Sequence, residues 1–137
     1  MGLFIPGIQR PQGSKRHVGN GRLIEASKYL PEWRNTVREA LIRDWEDETF
    51  PFKYQAVSVR LLFRLPKPKV TPNDMPVTRP DIDKLARAVL DAMTGPIIAD
   101  DSQVVRLLVT KCYDLNPGVV VDVSQSGNFW PDTHDNA

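Results

Sequence analysis

Apolar and polar positions change period several times along the chain, and each change marks a predicted element. Leu3 to Gln9 is a short apolar run broken by Pro6, which predicts an edge strand. Arg10 to His17 is loop by composition, and Arg22 to Glu25 predicts a second short strand. The period then turns helical. Trp33, Val37, Ala40, Leu41 and Trp45 recur on one stripe, with Arg34, Arg38 and Arg43 off it. This helix starts at Ser27, or at Leu30 with Pro31 in its first turn, and ends at Glu46-Asp47-Glu48 and Pro51. Gln55 to Leu65 alternates cleanly: Val57, Val59, Leu61, Phe63 and Leu65 share one face and Ser58, Arg60, Leu62 and Arg64 the other. It is the longest strand signal in the chain.

Pro66, Pro68, Pro72 and Pro76 make residues 66–79 an exposed irregular loop. Ile82, Leu85, Ala86, Val89 and Met93 form a second helical stripe, closed by Gly95-Pro96. Val104 to Tyr113 is a further strand. The turn Asn116-Pro117-Gly118 predicts that Val119 to Val123 returns as its hairpin partner. The order β-β-α-β-α-β-β, two helices on one small mixed β-sheet, is an α+β arrangement.

Composition narrows the setting. At 137 residues the chain holds one domain, placed over residues 1–124, with a polar tail over 125–137. The single Cys112 excludes an internal disulfide framework and a thiolate zinc cage. His17 and His134 lie near opposite ends, which argues against a multi-histidine metal site. No apolar run reaches the roughly 18 residues of a membrane span. The first nine residues are too short and too rich in Gly and Pro for a secretory signal. A cytoplasmic setting, with no membrane partner and no organic cofactor, is the expectation.

Net charge is +1, but it is unevenly spread. Residues 1–43 carry eight bases against three acids, a local +5, and the remainder carries −4. Residues 53–87 are again basic, with Lys67, Lys69 and Arg79 among eight cations. Two basic stretches thus flank a carboxylate cluster, as a phosphate-tracking surface around a metal site would. Solvated surface charge has the same composition.

The cluster is the chemical core of the sequence. Arg79-Pro80-Asp81-Ile82-Asp83-Lys84 opens the second helix, and Asp100-Asp101 precedes the next strand. A 12-residue helix rises about 18 Å, so one site needs the segment from Thr94 to Asp101 to fold back, or a second subunit. Magnesium takes oxygen ligands and keeps several waters, so two or three carboxylates suffice to hold it. Carboxylates gathered without a cation raise one another's pKa and cost stability. The competing reading is purely structural: Asp81 as a helix cap, Asp83 favouring the helix dipole, Arg87 pairing Asp91, and Asp100-Asp101 as a turn.

Two stretches together, Arg79 to Gly95 and Ala99 to Val104, resemble the RusA family of Holliday-junction resolvases, many of them encoded by phages and prophages. Ile5-Pro6-Gly7 and Pro11 to Arg16 are similar to that family's opening strand and basic loop. The resemblance implies a Mg²⁺-dependent endodeoxyribonuclease, with Mn²⁺ as a substitute, that resolves four-way DNA junctions as a homodimer by paired symmetric nicks. It implies Asp81, Asp83 and Asp101 as catalytic metal ligands, with Asp100 as a helper. Arg87 falls where the family often has a catalytic lysine, and Lys84 where asparagine is common. Arg for Lys is not a neutral swap at a point charge. Lys15, Arg16, Arg34 and Arg38, with Lys67, Lys69 and Arg79, are the expected phosphate contacts. Two alternatives stand beside this: an inactive DNA-binding or scaffold protein, and a nuclease of the Pro-Asp…(Asp/Glu)-x-Lys type, whose Asp83 and Lys84 would lie on a strand.

Overall fold

The computed structural model describes residues 2–9, 15–18, 22–25, 30–44, 52 and 54–126, with 15–18, 22–25 and 30 described by backbone alone. The longest alternating stretch becomes the centre of the sheet. Strand β4, Val57–Leu65, buries Val57, Val59, Leu61, Phe63 and Leu65 on one face, as its parity predicts. Its other face is partly open, and there Arg60 is hydrogen-bonded to the directly opposite Asp122. Strand β1, Gly2–Pro6, and strand β6, Gly118–Gln125, lie to one side and β5, Val104–Tyr113, to the other, in the order β1-β6-β4-β5.

Helix α1, Leu30–Asp44, takes the later of the two predicted starts. It buries Trp33, Val37, Ala40 and Leu41. Helix α2, Ile82–Met93, buries Leu85, Ala86, Ala88, Val89, Ala92 and Met93. These side chains and those of β4, Val119, Val121, Val123 and Ile5 form one apolar core. Ser27, Trp45, the acidic run 46–48, Pro51 and the tail beyond Ser126 lie outside the described residues.

Two expectations are corrected. Residues 15–18 are not loop: β2, Lys15–Val18, pairs antiparallel with β3, Arg22–Glu25, as a separate ribbon. The intervening sequence Gly19-Asn20-Gly21 is a hairpin signal that the loop reading passed over. Nor do β5 and β6 form a hairpin. β4 lies between them, parallel to β5 and antiparallel to β6. The parallel pair β4–β5 is joined through α2, as parallel strands must be joined by a crossover. The connection from Asp114 to Pro117 then steps over the end of β4, with Asp114 N donating to Leu65 O at 2.9 Å. Four residues reach about 13 Å, enough for two strand spacings of about 4.8 Å each.

Among the described residues β5 has no strand neighbour on its outer edge; Val105 and Leu107 are 58% and 44% exposed, and Leu107 shares a groove with Ile82 of α2, itself 38% exposed. None of the described helices is long and apolar enough to cross a membrane.

Candidate active site

Asp81 sits at the N-cap of α2 in extended conformation (φ −70°, ψ 138°), yet its side chain makes no capping hydrogen bond. Its backbone carbonyl accepts from Leu85 N at 3.1 Å, so the helix starts here without the carboxylate being consumed. Lys84 Nζ stands 3.8 Å from Asp81 Oδ2. The purely structural reading of Asp81 as a side-chain cap is therefore not what the structure shows. The corner is held from elsewhere. Lys111 Nζ, on β5, donates to Thr78 O at 2.8 Å and to Pro80 O at 2.9 Å.

Asp83 lies exposed in the first turn of α2. Because Asp83 and Lys84 are helical and not on a strand, the Pro-Asp…(Asp/Glu)-x-Lys reading is set aside. Asp91 does not pair with Arg87; it faces Arg34 at 3.7 Å. Arg87 instead lines a groove of about 370 Å³ between α2 and β5. Asp83 and Asp101 line the same groove, with Ile82, Leu90, Leu107 and Val109 between and around them.

The second acidic corner is a short 3-10 turn, Asp101–Gln103. Asp100 Oδ2 accepts from Ser102 N at 3.0 Å, and Gln103 Oε1 accepts from Asp100 N at 3.0 Å, a reciprocal capping box. The side-chain and backbone hydrogen bonds from Ser102 hold the Asp100 carboxyl below its ordinary range. One oxygen of Asp100 is thus already committed to the turn. Gln103 Oε1 also accepts from Ala99 N at 2.7 Å, while its Nε2 donates to Phe52 O at 2.5 Å and Gln55 O at 2.9 Å. Asp101 remains exposed at the edge of the groove.

Carboxylate oxygens are the donors a hard divalent cation takes, so Asp81, Asp83 and Asp101 fit such an ion chemically. They do not gather within one chain: no three His, Cys, Asp or Glu side chains converge on a common point among the described residues. Asp83 is at the start of α2 and Asp101 lies beyond its end, and a 12-residue helix is about 18 Å long.

Of the predicted phosphate contacts, Arg38 is exposed on α1, with its guanidinium hydrogen-bonded to α2. Its Nε donates to Ala92 O and its Nη2 to Asp91 O, both at 3.1 Å, satisfying carbonyls at the C-terminal end of α2. Lys67, Lys69 and Arg79 are exposed on the loop leading into Asp81. Lys67 and Asp74 are 4.0 Å apart, a surface pair of little strength. Lys15 and Arg16 fall on β2, described by backbone alone.

Gln103 and Lys111 escaped the sequence reading, though each left a signal. Gln103 stands three residues after Asp100, the spacing of a capping box. Lys111 has the parity of Leu107, Val109 and Tyr113, so a cation falls on the core-facing side of a strand.

Over 50 residues the chain is 44% identical to the uncharacterized protein YqaN of Bacillus subtilis (strain 168). That match spans 36% of this chain and 35% of YqaN. A family model described as endodeoxyribonuclease RusA matches residues 6–124, which takes in both helices, β2 to β5, the groove and both acidic corners. The chain belongs to the RusA endodeoxyribonuclease family.

Proposed function

We propose that the protein is a divalent-metal-dependent endodeoxyribonuclease that resolves four-way DNA junctions by paired, symmetric phosphodiester hydrolysis, and that it acts as a homodimer with Mg²⁺, or Mn²⁺ in its place. The observation that carries this reading is the family match across residues 6–124 together with the groove in which Asp83, Arg87 and Asp101 lie. Asp81, Asp83 and Asp101 hold the ion; Asp100 shapes the corner that presents Asp101. A bound ion supplies charge to the attacked phosphodiester and lowers the pKa of a water nucleophile. Arg87 and Lys84 supply positive charge beside the acids, where the scissile phosphate would sit. Lys67, Lys69 and Arg79, with Lys15 and Arg16, track the DNA backbone.

Two features of the described residues support the homodimer reading: the three acids do not converge within one chain, and one sheet edge has no neighbour. Among the described residues the outer edge of β5 is unpaired, and with Val105 and Leu107 exposed it is a surface that proteins generally cover. A twofold axis normal to the groove at its middle exchanges its ends, as any isologous contact does. It would bring Asp101 of one subunit beside Asp83 of the other, twice. Two such sites suit paired nicks on a symmetric branched substrate.

The test is cleavage of a synthetic four-way junction in Mg²⁺, with and without chelator. Cutting is expected only with the metal. Asp83→Asn is expected to lower the rate about a hundredfold or more, about 2.7 kcal/mol at the barrier, with junction binding retained. An intact junction with wild-type protein across pH and both metals would refute the reading.

A further inference from the structure

The carboxylates that would bind an ion are not consumed by helix capping or burial, Asp81 facing the Lys84 ammonium at 3.8 Å, yet the backbone that carries them is fixed. Asp81 makes no capping bond, and Asp83 and Asp101 are exposed. The fixing is done by two side chains at opposite ends of one strand. Lys111, near the end of β5, uses two of its three N–H donors on the carbonyls of Thr78 and Pro80, the latter adjoining Asp81. Gln103, just before β5, uses both donors and both lone pairs of its amide, the latter on the N–H groups of Ala99 and Asp100 that lead into Asp101.

Neither side chain would be placed this way for packing. Lys111 has core-facing parity and is half-buried, and its ammonium is turned onto two backbone carbonyls of the segment leading into α2. A saturated amide such as that of Gln103 ties the turn to Phe52 and Gln55, about fifty positions away in sequence. We propose that Lys111 and Gln103 are positioning residues, which fix the backbone of the Asp81 and Asp101 corners so that the carboxylates are correctly spaced for a divalent cation. This rests on the reading that those acids hold the ion. Partners of this kind usually change metal affinity or activity about 10- to 100-fold when removed.

The experiment compares the full-length wild type with Lys111→Met, Gln103→Met and Lys111→Arg. In metal-free protein, amide exchange over 78–83 is expected to rise in Lys111→Met and over 99–102 in Gln103→Met, with β4 and β6 unchanged. In cleavage of the four-way junction, half-saturating Mn²⁺ is expected to rise about tenfold in either Met variant. Junction affinity without metal stays within about twofold. Lys111→Arg keeps donors for both carbonyls and recovers most of the loss. Wild-type exchange and half-saturation in both Met variants would overturn the proposal. So would a general loss of stability with unchanged half-saturation, or an Arg variant as impaired as Met. Failure of the acidic-site reading itself appears differently: the wild type then neither binds Mn²⁺ nor cuts, and this proposal falls with it.

Discussion

Gly118 lies where β6 begins beside the end of β1. A Cβ at this position would sit 2.4 Å from Ile5 O and 2.6 Å from the Phe4 ring, so no side chain is tolerated without backbone movement. The nearby Gln9, 5% exposed, donates through Nε2 to Arg64 O at 2.9 Å and to the carbonyl of Gly118 itself. Gly118→Ala is expected to cost about 1–3 kcal/mol in urea unfolding, the usual penalty of overpacking. A loss below a few tenths would show that the strands part easily. The sequence suggested a turn at this glycine and was silent on the close approach, because the crowding atoms lie more than a hundred positions away. The acids were legible for the opposite reason: Asp81 and Asp83 stand together in sequence at a helix start. Gln103 and Lys111 act through backbone groups of other segments, so only spacing and parity hinted at them.

At the level of elements, period decided most of what was readable. β4 and α2 follow from alternation and from a helical stripe closed by Gly95-Pro96. The β2–β3 ribbon and the separation of β5 from β6 did not follow. Turn chemistry at Asn116-Pro117-Gly118 fixes a chain reversal and says nothing about which strand lies alongside. The 3-10 corner makes its own prediction. Because the folded-state pKa of Asp100 is lowered, its contribution is complete above the unfolded carboxylate value of about 3.9 and is lost as pH falls through the lowered value. The Ser102 amide resonance should therefore be flat from pH 5 to 8 and shift only in stronger acid. A midpoint above the ordinary carboxylate range would contradict the capping role. It follows that a change of cleavage rate near neutral pH does not originate at Asp100.

At the scale of the molecule, the described residues present a basic loop leading into an acidic corner, a second acidic corner and an unpaired sheet edge. If Lys67, Lys69 and Arg79 contact phosphates, neutralising each one should reduce the slope of log affinity against log salt by about 1, roughly equally for junctions of different sequence. An unchanged slope in all three would move the DNA path elsewhere. Arg38, which the sequence placed on that path, is expected to leave the slope unchanged, since its guanidinium serves α2. Helix length already placed the two acidic pairs at opposite ends of α2, whereas the sheet order was beyond the sequence, since neither local period nor motif spacing encodes which edges meet.

The central claim is that acids from the two ends of α2 serve one metal site, completed by a second copy. Mixing Asp83→Asn and Asp101→Asn subunits tests it most directly. Each variant alone is expected to be inactive on a four-way junction in Mg²⁺. In the mixed dimer one shared site receives both substitutions and the other receives neither, so single-strand nicks should return. A mixture as inactive as its components, under conditions where subunits exchange and the wild type cuts, would contradict the account.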